Sequence, residues 1–123
     1  MMFPRITTKA TNITLTPSLE VLIEQKFEPL GKLLNDKGDT RCEIELEKVA
    51  DHQSGKIYRA EVNLFNGGKM NRTEATEEQI EQAIDTARNE LKHELQHAYG
   101  RRRSLLRRGG QMIKDMMRFG RSE

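Results

Sequence analysis

Arg41-Cys42-Glu43-Ile44-Glu45-Leu46-Glu47 is the stretch that decides the fold class of this chain. Cys42, Ile44 and Leu46 fall on one side of an extended backbone, the arginine and the glutamates on the other. This period of two marks a strand with one buried and one wet face. Asp51-His52-Gln53-Ser54-Gly55-Lys56 then has the composition of a hairpin loop, after which Tyr58, Ala60, Val62 and Leu64 alternate with Arg59, Glu61 and Asn63 in a second such strand. Gly67-Gly68 supplies the next turn. Residues 69–75 are shorter and more polar, with Thr73 and Ala75 inward, as expected of an edge strand.

Outward from this meander the period changes. Thr16 can cap a helix whose first position is Pro17, where a missing N–H costs nothing. Leu19, Leu22, Ile23, Phe27, Leu30 and Leu34 recur at three- and four-residue spacing, predicting a helix over residues 17–34, with a kink or a tightened last turn at Pro29. A short strand is expected over residues 5–9 and a turn over 35–40. Downstream, Thr76 and Gln79 have the spacing of a capping box, and Ile80, Ala83, Ile84, Ala87, Leu91, Leu95 and Ala98 form a second helical stripe that Gly100 can end. The order β-α-β-β-β-α predicts a two-layer α+β sandwich: a four-stranded mixed sheet, strands 1 and 2 parallel, with both helices on one face. Residues 1–100 are read as one domain, residues 101–123 as a flexible basic tail.

A chain of 123 residues can bury one modest core. With one cysteine, Cys42, it has no internal disulfide and no cysteine-built metal site. No apolar run could span a bilayer, and the polar start excludes a signal peptide, so a soluble, cytoplasmic protein is expected without membrane contact. The net charge of +2 is unevenly shared. Residues 101–123 carry eight Lys and Arg against two acids, a net of +6, whereas the first hundred residues carry −4. Such a segment suits a polyanion, because each cation that neutralises a phosphate releases a counterion.

His93-Glu94-Leu95-Gln96-His97 matches the H-E-x-x-H pattern, in which two histidines one helical turn apart share zinc and the glutamate activates water. The longer form of that motif needs a third histidine where Arg103 stands, and the remaining histidine, His52, falls in a hairpin loop. Two solvent-facing histidines near phosphate are the better reading, so neither an enzyme nor a cofactor is expected. Met112, Ile113, Met116, Met117 and Phe119 among Lys114, Arg118 and Arg121 resemble a basic amphipathic helix, read here as an arm that orders on RNA. Arg59 and Arg72 are expected to pair with glutamates across the open sheet face, Tyr58 to pack in the core and Cys42 to be an inert packing residue.

Three segments carry a further resemblance: Thr-Pro-Ser-Leu at 16–19, Ser-Gly-Lys-Ile-Tyr-Arg-Ala-Glu-Val at 54–62, and Glu-Ala-Thr-Glu-Glu-Gln-Ile-Glu-Gln-Ala-Ile-Asp at 74–85. In this order and spacing the chain resembles the short ribosome hibernation-promoting factors, the ribosome-associated inhibitor A family, from about residue 6 to residue 99. The resemblance implies a fold like a double-stranded-RNA-binding domain. It also implies a translation inhibitor seated on the small ribosomal subunit over the messenger channel, where it excludes mRNA and tRNA and stabilises idle ribosomes. Its partners would be the small subunit and ribosomal RNA, not DNA, and off the ribosome it would be monomeric. Carried onto this chain, the family's RNA-facing helix cations would be Lys26, Lys32, Arg88, Lys92, His93 and His97. The tail would add Arg101, Arg102, Arg103, Arg107 and Arg108, a cluster displaced outward from its usual place. The carboxy-terminal domain of long members, which pairs ribosomes, is not expected in 23 residues. Two other readings stay open, a general structured-RNA-binding or ribosome-assembly protein and a zinc hydrolase.

Overall fold

The chain is described by a computed structural model over residues 2–35, 38–51 and 54–121, with the side chains of the last helix described as far as Ser104. Along the chain run β1 (Ile6–Thr11), α1 (Pro17–Phe27), a 3-10 segment (Glu28–Leu33), β2 (Thr40–Lys48), β3 (Tyr58–Asn66), β4 (Lys69–Glu77) and α2 (Ile80–Arg121). The strands form one sheet in the order β1-β2-β3-β4. β1 and β2 are parallel, with Ile6 beside Cys42, and the other pairs are antiparallel, with Glu45 opposite Glu61 and Glu61 opposite Glu74. The α+β sandwich read from the sequence is the fold observed, β4 at one edge.

The local signals at α1 act as their chemistry dictates. The Thr16 hydroxyl accepts from the Leu19 N–H at 3.2 Å, and Pro17 opens the helix. Pro29 cannot continue the α-helical ladder, so the chain tightens into the 3-10 segment at Glu28 and still delivers Leu30, Leu33 and Leu34 to the core. From the sheet, Cys42, Ile44, Leu46, Ala60, Val62, Leu64 and Ala75 meet Leu19, Ile23 and Phe27 of α1 and Ile80, Ala83, Ile84, Ala87, Leu91 and Leu95 of α2 in a single core. Tyr58 packs against that core from its margin. The buried hydroxyl of Thr73 donates to the Ala87 carbonyl at 2.9 Å, which fastens β4 to α2 without leaving an orphaned polar group.

Two helix boundaries differ from the sequence reading. Thr76 is not a helix cap: it is a strand residue opposite Arg59, and α2 begins at Ile80, the Gln79 carbonyl accepting its first bond from the Ala83 N–H at 3.1 Å. The ladder to β3 supplies more backbone hydrogen bonds than a cap and holds the chain extended to Glu77. Nor does Gly100 end α2, which continues to Arg121. Gly100 is not among the residues with positive φ, so it sits inside a right-handed helix, followed by arginines that favour one. The side chains of Arg107, Arg108, Met112, Ile113, Met116, Met117 and Phe119 lie outside the described residues. No described helix is long and apolar enough to cross a membrane.

Candidate nucleic-acid interface

α2 buries one stripe and leaves two flanks, and the cations predicted from the sequence divide between them. On the flank toward α1, Lys26 pairs with Asp85, and the Arg88 Nε donates to the Lys26 carbonyl at 2.9 Å. Arg88 also reaches Asn89 Oδ1 at 3.1 Å. One turn on, half-buried Lys92 follows Arg88 on the same flank. Farther along, the Arg102 guanidinium donates to the Leu33 carbonyl at 3.0 Å, satisfying the end of the 3-10 segment, and both Arg102 and Arg103 lie 5.7 Å from the centre of the Tyr99 ring. Lys32 is exposed on the 3-10 segment. This flank is therefore a cationic seam in which Lys26, Arg88 and Arg102 also join the helices, while Lys32, Lys92 and Arg103 extend its charge.

On the other flank His93, His97 and Arg101 face β4. They line an open groove with Lys69, Met70, Asn71, Arg72 and Glu94. Glu94 is tied to the strand, accepting from the Asn71 amide at 3.1 Å. His93 and His97 are both exposed here, and among the described residues no group of three His, Cys, Asp or Glu is placed to hold a metal ion. His52 lies outside the described residues. The chemistry this groove offers is attraction of an anion, from Lys69, Arg72 and Arg101. Sequence reasoning missed Lys69 as part of it. The signal was the Gly67-Gly68 turn, both glycines at positive φ, which starts the edge strand at Lys69 beside the middle of α2.

The sheet face away from the helices is acidic and neutralised internally. Arg59, its side chain 18% exposed, bonds Glu47 at 3.3 Å and Glu74 at 3.1 Å and also pairs with Glu61, while Arg72 holds Glu61 at 2.8 Å. Both arginines thus pair with glutamates, as the alternation predicted. Burial alone would raise the Glu61 carboxyl, but the Asn63 hydrogen bond and the hydrogen bond and charges of Arg59 and Arg72 outweigh it and hold the group below the usual carboxylate range. The hydrogen bond to Glu74 leads in raising Arg59 above its ordinary value. A polyanion is repelled near Glu43 and Glu45 on this face and meets cations along both flanks of α2.

Residues 6–103 match the family described as Sigma 54 modulation protein / S30EA ribosomal protein. Among curated proteins no match is found. Among solved structures the chain is similar to the N-terminal domain of Protein Y from Thermus thermophilus, with a TM-score of 0.59 and 21% identity over 78% of this chain and 98% of that one. It is likewise similar to a ribosomal subunit interface protein from Coxiella burnetii, with a TM-score of 0.60 and 14% identity over 77% of this chain and 97% of that one. At such identities the structures attest the fold, whereas the family match takes in every strand, both helix flanks and the seam as far as Arg103. The chain therefore belongs to the Sigma 54 modulation protein / S30EA ribosomal protein family, the ribosome-associated family of the hibernation factors that its motifs resemble.

Proposed function

We propose that this protein is a translation inhibitor that binds the small ribosomal subunit at the decoding and messenger channel. It excludes mRNA and tRNA by occupying their space and so stabilises idle ribosomes. The observation that carries this reading is the segregation of charge: a cationic seam and groove flank α2, while the opposite face holds Glu47, Glu61 and Glu74 paired with Arg59 and Arg72. Lys32, Lys92, Arg103, Arg101, His93 and His97 offer charge to ribosomal RNA phosphates without reading bases, which suits recognition of a folded RNA by shape. Lys26, Arg88 and Arg102 keep the two helices in register for that contact. The basic segment of residues 101–123, Arg107 and Arg108 included, adds salt-dependent anchoring to the domain of residues 1–100. Inhibition of this kind needs no turnover, and the domain acts as a monomer. Docking at the face between the subunits accords with the ribosomal subunit interface protein that shares the fold.

Order of addition tests the proposal. Small subunits preloaded with a short messenger and initiator tRNA are expected to refuse the protein, and subunits that already hold it to refuse the tRNA. Simultaneous binding of all three would overturn steric exclusion.

A further inference from the structure

The outer sheet face is not uniform. Near the Gly67-Gly68 turn one row of residues crosses three strands, Arg41 opposite Phe65 and Phe65 opposite Met70. All three alternate with core residues and so face outward. The Arg41 guanidinium lies 4.4 Å from the centre of the Phe65 ring, Phe65 is half-buried, and Met70 is 47% exposed. With strands about 4.8 Å apart, the row spans on the order of 10 Å. Met70 also lines the open groove that Lys69, Arg72, His93, Glu94, His97 and Arg101 share along the β4 edge, so the platform adjoins a groove in which three cations, Lys69, Arg72 and Arg101, outweigh one carboxylate. Arg72, its side chain 58% exposed, sits between them, its Nε held by Glu61.

We infer that this edge binds single-stranded RNA, an unpaired base stacking on the Arg41–Phe65–Met70 row while the adjoining phosphates follow the β4–α2 groove past Lys69 and Arg101. A guanidinium plane resting on an aromatic ring accepts any base by its π-face, and a neighbouring line of cations tracks the backbone. A duplex has its bases stacked internally and cannot use the platform. The inference shares with the proposed function the premise that the ligand is RNA. It shares the β4–α2 groove with that reading and differs in adding the outer sheet row and in requiring an unpaired strand.

Fluorescence anisotropy of the full chain with a labelled eight-nucleotide single-stranded RNA, and with a blunt duplex as competitor, tests it. Phe65→Leu and the milder Met70→Ser are expected to weaken the octamer roughly tenfold, and Lys69→Glu at least as much, with the duplex a poor competitor. Thermal melts of each variant identify any that fails to fold, in which case the exposed Met70 carries the test. Unchanged octamer affinity in folded Phe65→Leu and Met70→Ser, or equal competition by duplex, would overturn the platform. Small-subunit sedimentation of the same variants is a separate readout: a platform that fails while subunit binding persists leaves the proposed function standing, and the converse removes the ribosomal reading alone.

Discussion

Arg59 shows how far a single residue can be read in advance. Its position between Glu47, Glu61 and Glu74 follows from the alternation of three strands, and the pairings expected from that alternation are formed. Removing it leaves the mostly buried Glu61 with less compensation, so Arg59→Ala should destabilise the domain by about 2 kcal/mol in urea unfolding. Because the folded state holds Glu61 below the usual range, its contribution is present above the unfolded value near pH 4.3 and is lost as pH falls through the folded one. Glu61→Gln is therefore expected to lower the melting temperature near neutrality and to flatten its fall below about pH 4. Cys42 behaves as the packing residue expected from its inward place: burial first, then the Glu43 charge, push its thiol up to about 12. It should resist iodoacetamide at pH 8 until the chain unfolds. The bonds that escaped sequence reasoning are those between distant segments. Asn66 exchanges two 2.7 Å hydrogen bonds with the Asn35 backbone, and Arg102 reaches Leu33; neither partner is fixed by periodicity.

Among the elements, those with their own local chemistry were readable and those whose ends depend on a neighbour were not. Thr16 and Pro17 specify the start of α1 without help, and Thr16→Ala should cost about 1 kcal/mol. Thr76 and Gln79 offer the same kind of local signature, yet pairing with Arg59 claims Thr76 for β4. Gly100 has the residue type of a helix end but not its conformation, and a Cβ added there would meet nothing within 4 Å. Gly100→Ala should therefore raise stability by roughly 0.5–1 kcal/mol, whereas a glycine that terminated the helix in the left-handed region would be destabilised by the same change. The melting temperature of the purified variant distinguishes the two.

At the scale of the whole molecule, charge is the feature that composition made plain and topology placed. The +6 of residues 101–123 against the −4 of the rest could be counted from the sequence. The division of the helix cations into two flanks could not, since it requires knowing which side of α2 faces α1 and which faces β4. Binding of the small subunit by the α2 flanks is read by sucrose-gradient sedimentation with purified small subunits. The full chain should travel with the subunit at low salt and progressively less as salt rises, while folded Lys32→Glu/Lys92→Glu should remain near the top under the same conditions. A wild-type chain that stays at the top even at low salt, or a charge-reversed variant that travels with the subunit as wild type does, would contradict it.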